Sequence, residues 1–105
     1  MPDRIQMLTE LLAQNPTDTF ARYGLAMEYS KSGDLASALH EFNTLLELNP
    51  DYSAAHFMAA QALAKAGRTS EARRYLQDGI AAAVRTGNRH AQDEMSAMLD
   101  ELAGD

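Results

Sequence analysis

The side chains able to do chemistry in this chain are three histidines, a cluster of arginines and a scatter of carboxylates. His40, next to the apolar Leu39, is expected to face solvent, and His90 stands where a local hydrogen bond is its simplest use. His56 reads as a half-buried spacer. The chain contains no His-x3-His, no Gly-rich phosphate loop after a strand and no Gly-x-Ser-x-Gly, so a metal pair, a phosphate cradle and a nucleophile elbow are all missing. Without cysteine, disulfides, thiolate chemistry and Cys-based zinc sites are excluded. The residues give no catalytic set, no metal ligands and no cofactor site, and the chain reads as a protein that is not an enzyme.

The arginines invite a nucleic-acid reading. Arg68, Arg73, Arg74, Arg85 and Arg89 are five of the nine basic residues, but Glu71 and Asp78 interrupt them, as on a solvated helix face with charge pairs one turn apart. Fifteen acids against nine bases leave a net charge of −6, which repels phosphate backbones and anionic membranes. Neither nucleic acid nor membrane is an expected partner. No apolar run reaches the roughly 18 residues of a spanning helix, and Met1-Pro2-Asp3-Arg4 lacks the pattern of a signal peptide. The expectation is a cytoplasmic protein.

Chemistry being absent, the elements themselves carry the information. Ala and Leu dominate the apolar 46% and β-branched residues are few, which favours helices over strands. In 105 residues there is room for one domain with a modest core. A period organises it: adding 34 carries Ala26 onto Ala60, Lys31 onto Lys65, Gly33 onto Gly67, Ala38 onto Ala72 and Leu46 onto Ile80. Subtracting 34 carries Leu45, Leu46, Asn49 and Pro50 onto Leu11, Leu12, Asn15 and Pro16.

Turn signals divide the period into rods. Ile5, Leu8, Leu11 and Leu12 form the stripe of a first helix over 3–14, ended by Asn15-Pro16. Thr17 or Asp18 caps a helix to about Ser32, and Gly33 stops it. Asp34 caps the next, in which Leu35, Ala38, Leu39, Phe42, Leu45 and Leu46 recur at helical spacing. Asp51 starts a helix ending at Gly67, and Thr69 caps one carrying Ala72, Leu76 and Ile80. Gly79 within that last rod signals close helix approach. Asn88 caps a closing helix with Ala91, Met95, Met98, Leu99 and Leu102 on one side.

A fixed period of this size marks a stacked array, and the unit resembles the tetratricopeptide repeat (TPR) family. Leu25, Ala26, Tyr29, Gly33, Ala38, Phe42 and Pro50 stand at the family's packing positions. Arg22 replaces its usual aromatic, while His56, Leu63 and Gly79 stand where Trp, Tyr and Ala are usual; Val84 stands where a repeat-ending Pro is expected. The resemblance implies an all-α fold, a right-handed α-solenoid of stacked helix-turn-helix repeats with about five antiparallel helices. Residues 1–105 then form a single TPR-like domain: a half-repeat helix over 3–16, repeats over 19–52 and 53–86, and a C-terminal capping helix over 88–103.

At 100° per residue, Leu25, Ala26 and Tyr29 fall together on one helix, with Phe20, Tyr23 and Met27 opposite. One period later Ala59, Ala60 and Leu63 face inward, and Ala54, Phe57 and Gln61 away. Lys31 and Lys65 lie at the foot of these second rows. The resemblance places such helices on a concave groove whose side chains contact peptides, so the expected partner-binding residues are Phe20, Tyr23, Met27, Lys31, Phe57, Gln61 and Lys65. A plainer reading packs Phe20, Tyr23 and Phe57 side by side between adjacent helices. The Lys and Asn clamp that the family uses for acidic chaperone tails is missing, since Tyr23, Met27, Phe57 and Gln61 hold its positions. A protein or peptide segment of apolar or amphipathic character is the expected partner. Arg89 and Gln92 are candidates to close the groove from the far end. The alternative is a homo-oligomeric scaffold, in its simplest form a homodimer, pairing through the same face or through Met95, Met98 and Leu102.

Overall fold

The computed structural model describes residues 3–104, and among them every regular element is an α-helix. The order is α1 (Arg4–Gln14), α2 (Thr19–Lys31), α3 (Leu35–Leu48), α4 (Ser53–Lys65), α5 (Thr69–Thr86) and α6 (Arg89–Ala103). The all-α expectation holds, but its count of about five is one short: a lone helix, two pairs and a closing helix make six. Contacts gather these into two compact units, α1–α3 up to Asn49 and α4–α6 from Pro50.

In the first unit, α2 packs against both α1 and α3. Leu12, Ala21 and Leu25 form a buried cluster flanked by Ile5, Leu8 and Tyr29, while Ala26, Ala38, Phe42 and Leu45 are fully buried. The expected stripes are therefore the packed ones. Leu11 shows what a missing neighbour does. It is 52% exposed, whereas Leu45, one period later, is fully buried, because no first-half helix pairs with α1 among the described residues.

In the second unit, α5 packs against α4 and α6, and α6 also touches α4. Ala59, Ala60, Leu63, Leu76 and Met95 are fully buried. Of the glycines, Gly79 is the most tightly enclosed. A Cβ there would stand 2.5 Å from Met95 Sδ and 2.7 Å from His56 Cβ, so the absent side chain is what admits both neighbours.

Asp3, Asp18, Asp34 and Asn88 each accept a hydrogen bond from the amide three residues on, satisfying donors that a helix start leaves free. Asp34 also accepts from the Ser37 hydroxyl at 2.7 Å, and these bonds, the hydroxyl first, hold its carboxyl below the usual range. Two expected starts are corrected. α4 begins at Ser53 after Tyr52, without a side-chain cap, and Asp51 instead pairs with Arg85 at 2.7 Å. Thr69 is the first residue inside α5 rather than its cap; Arg68 precedes it and is bonded through Nε and Nη2 to Glu71. That bond, a charge-assisted fork, raises the Arg68 pKa and lowers that of Glu71. Gly33 and Gly67 stop α2 and α4 with φ of +84° and +80°, the left-handed region that a side chain would strain.

α5 is longer than α3, 18 residues against 14. Val84 keeps the amide that a proline would have removed, so the helix runs on until Gly87 turns left-handed. The extension moves the start of α6 out of the 34-residue register. Helix caps lie 34 residues apart from Asp18 to Tyr52 but 36 apart from Tyr52 to Asn88.

Candidate partner-binding faces

On α2, Phe20, Tyr23, Met27 and Lys31 rise along one side at intervals of three and four residues, which the helical period stacks into a row. Phe20 is 79% exposed, the most exposed large apolar side chain among the described residues. Tyr23 and Met27 are half-buried and Lys31 is exposed. Tyr23 also belongs to the packing of its own unit: its ring meets the buried Phe42 edge-on, with centroids 6.4 Å apart and planes at 63°. The sequence placed it opposite the packed stripe, and α3 reaches around to one edge of it. Lys31 Nζ, on an exposed side chain, lies 3.8 Å from the half-buried Glu28, which it shares with Arg4, a long contact that leaves the ammonium available to a better partner.

On α4, Phe57, Gln61 and Lys65 repeat that row, with Phe57 half-buried and the other two exposed. Beside Phe57 a recess of about 180 Å³ opens between α4 and α6, lined by Ser53, Ala54, Phe57, Asn88, Ala91, Glu94 and Met95. The α6 wall was missed by the sequence reading, which nominated Arg89 and Gln92. Two residues before Ala91, Arg89 lies about 200° around the helix from it, and neither Arg89 nor Gln92 lines the recess. The signal that would have found the right residues is the apolar side of the closing helix, where Ala91 and Met95 stand one 34-residue step from Phe57 and Gln61.

The family-specific departures have a shared structural use. Arg22 Nη2 donates to the Pro16 carbonyl at 3.0 Å. One period later, His56 Nε2 lies 2.9 Å from the Pro50 carbonyl. A carbonyl only accepts, so Nε2 carries the proton and Nδ1 is left buried without a partner, as is Arg22 Nε. Each side chain ties a helix to the proline turn before it, and neither points to a ligand. His40 and His90 are exposed. No three His, Asp or Glu side chains among the described residues gather as a metal would require.

Three of the five clustered arginines are held in structural contacts: Arg68 to Glu71, Arg85 to Asp51, and Arg73 Nη2 to the Leu102 carbonyl at 3.0 Å, at the end of α6. No helix of the described residues is long and apolar enough to cross a membrane.

Comparison with known proteins gives a consistent result. The profile of the tetratricopeptide repeat family matches residues 29–92. A TPR repeat-containing protein of Pseudomonas aeruginosa is 31% identical over 98 residues, covering 93% of each chain. Among solved structures, a solution structure of a Bordetella parapertussis protein superposes with a TM-score of 0.83 at 27% identity, covering 98% of this chain and 90% of that one. The TPR2B domain of yeast Sti1, in its complex with pHsp70, superposes with a TM-score of 0.86 at 17% identity, covering 95% and 80%; at that identity the likeness speaks for the fold.

Proposed function

Because the chain belongs to the tetratricopeptide repeat family, we propose that it is a non-enzymatic protein-interaction module in which the outward row of each first-half helix is a surface for a segment of a partner protein. The rows are Phe20, Tyr23, Met27 and Lys31 on α2, and Phe57, Gln61 and Lys65 on α4. The observation that carries this reading is Phe20, a ring left 79% exposed on the side of α2 opposite its packed stripe. Covering one such side chain favours association by about 1.5–3 kcal/mol, so two or three of them support a micromolar complex after the entropy of association is subtracted. The Sti1 domain, with the same fold, is a protein seen in a partner complex; the side chains of the two rows here favour an apolar or amphipathic segment over an acidic tail.

Selection of a random peptide library on the immobilised chain tests the proposal, with light scattering of the free chain from low to high micromolar concentration alongside it. Enriched peptides with apolar anchors that bind a monomeric chain, and lose at least tenfold in affinity on Phe20→Glu or Phe57→Glu, are expected. A tight dimer at the lowest concentration would replace the module with a self-associating scaffold. A monomer that enriches nothing would refute both.

A further inference from the structure

We propose that the recess between α4 and α6 receives one large apolar side chain of a partner segment that carries a Lys or Arg directly beside it. This rests on reading the chain as an interaction module and specifies the chemistry of its partner. The recess holds about 180 Å³, more than the roughly 150 Å³ of an engineered cavity that accepts benzene, so a single Leu or Phe side chain fits. Phe57 forms the α4 wall, and Ala91 with the fully buried Met95 closes the α6 side. Apolar contact for the incoming group comes mainly from Phe57, with the edge of Ala91 opposite and Met95 sealed beneath as the floor.

Charge decides what stands next to that group. Among the described residues that line the recess, Glu94 alone is ionisable, and it is exposed. His90, one turn before it on the same side of α6, is exposed as well. Asp93 and Arg89 project from the far side of α6, by their helical positions relative to Ala91. Lys65 lies eight residues beyond Phe57, about 12 Å along α4, and so stands apart from the pocket. A cation flanking the apolar anchor meets Glu94, and the chain's net charge of −6 steers a basic segment towards it. This is the opposite polarity to an acidic-tail clamp.

Amide chemical shifts of the isotope-labelled chain, titrated with three blocked hexapeptides, test the assignment. The probes are Ser-Gly-Arg-Phe-Gly-Ser, the same peptide with Glu for Arg, and the same with Ala for Phe. The expected result is perturbation centred on residues 53–57 and 91–95, with the Arg-Phe peptide binding at least fivefold tighter than either relative. Glu94→Lys, an exposed change that leaves the helical spectrum intact, should reverse the order of the Arg and Glu peptides. Equal binding of the Arg and Glu peptides, or perturbation elsewhere, overturns the proposal. Shifts at these same residues on raising protein concentration alone would mean that a second copy fills the recess, and would overturn it too. The interaction reading fails separately: library peptides that lack basic residues yet depend on Phe57 would leave the module standing and remove this pocket assignment.

Discussion

Leu45 and Gly79 occupy one position of the repeat, 34 residues apart, and the two units use it in opposite ways. In the first unit Leu45 fills the space and is fully buried. In the second the position is empty of side chain, and Met95 from α6 and His56 from α4 close over Gly79. A repeat position is therefore not a residue requirement but a volume requirement, met from within the pair or by a neighbouring helix. Leu11, the third copy, is half exposed for lack of either.

Truncation and enlargement at this position should both destabilise, for opposite reasons. Leu45→Ala leaves a cavity and is expected to cost about 2–5 kcal/mol. Gly79→Ala gains up to about 1 kcal/mol of helix propensity but pushes His56 of α4 and Met95 of α6 away from α5, a cost of about 1–3 kcal/mol. The nearer obstacle on α4 is the root of a side chain, His56 Cβ, which cannot swing aside. Net destabilisation by Gly79→Ala in urea titration supports this account, and stabilisation would contradict it.

Arg22 and His56 sharpen the comparison, since both bond the preceding proline turn from the same position. Arg22 has a second commitment: Nη1 lies 2.6 Å from Glu41, with side chains only 14% and 13% exposed. Arg22→Phe restores the family's aromatic and strands the Glu41 carboxylate, at an expected cost of about 2–3 kcal/mol. His56→Phe breaks one part-buried hydrogen bond, to the Pro50 carbonyl, and is expected to cost about 0.5–1.5 kcal/mol. Equal effects of the two substitutions would show that the ion pair contributes nothing.

The smallest effects lie at the second-half helix starts. Asp34 and Ser37 form a cap in the first unit, where the second has Arg68 and Glu71. Asp34→Ala is expected to lower the melting temperature by a few degrees at neutral pH. The Asp34 carboxyl is held below its usual range, so its contribution is complete above the ordinary carboxylate pKa and disappears as pH falls through the lowered folded value. The difference between wild type and Asp34→Ala should accordingly shrink in acid. A difference that grows in acid would have the wrong sign for a carboxylate cap.

The fold was largely legible because its signals are local. The caps Asp34 and Asn88 and the turns at Gly33 and Gly67 each depend on a few neighbouring residues and stand where the sequence puts them, and of the two candidates Thr17 and Asp18 the cap is Asp18. The 34-residue period is read from identities along the chain without any knowledge of contacts. Thr69 looked like a cap because the competing fork between Arg68 and Glu71 is invisible to propensity. Tyr52 gave no polar signal at all. The candidate site was half legible: helical periodicity placed Phe57 outward, but the opposite wall on α6 depends on how far α5 runs past Val84, and Tyr23 was drawn inward by a ring on another helix.

Calorimetric titration of a library-selected peptide into wild type and Phe57→Glu, with circular dichroism of the same samples, tests the interaction reading most directly. At least a tenfold loss of affinity with unchanged helicity is expected. Full affinity in the substituted chain would contradict a binding role for the ring, and collapse of helicity would make it part of the core.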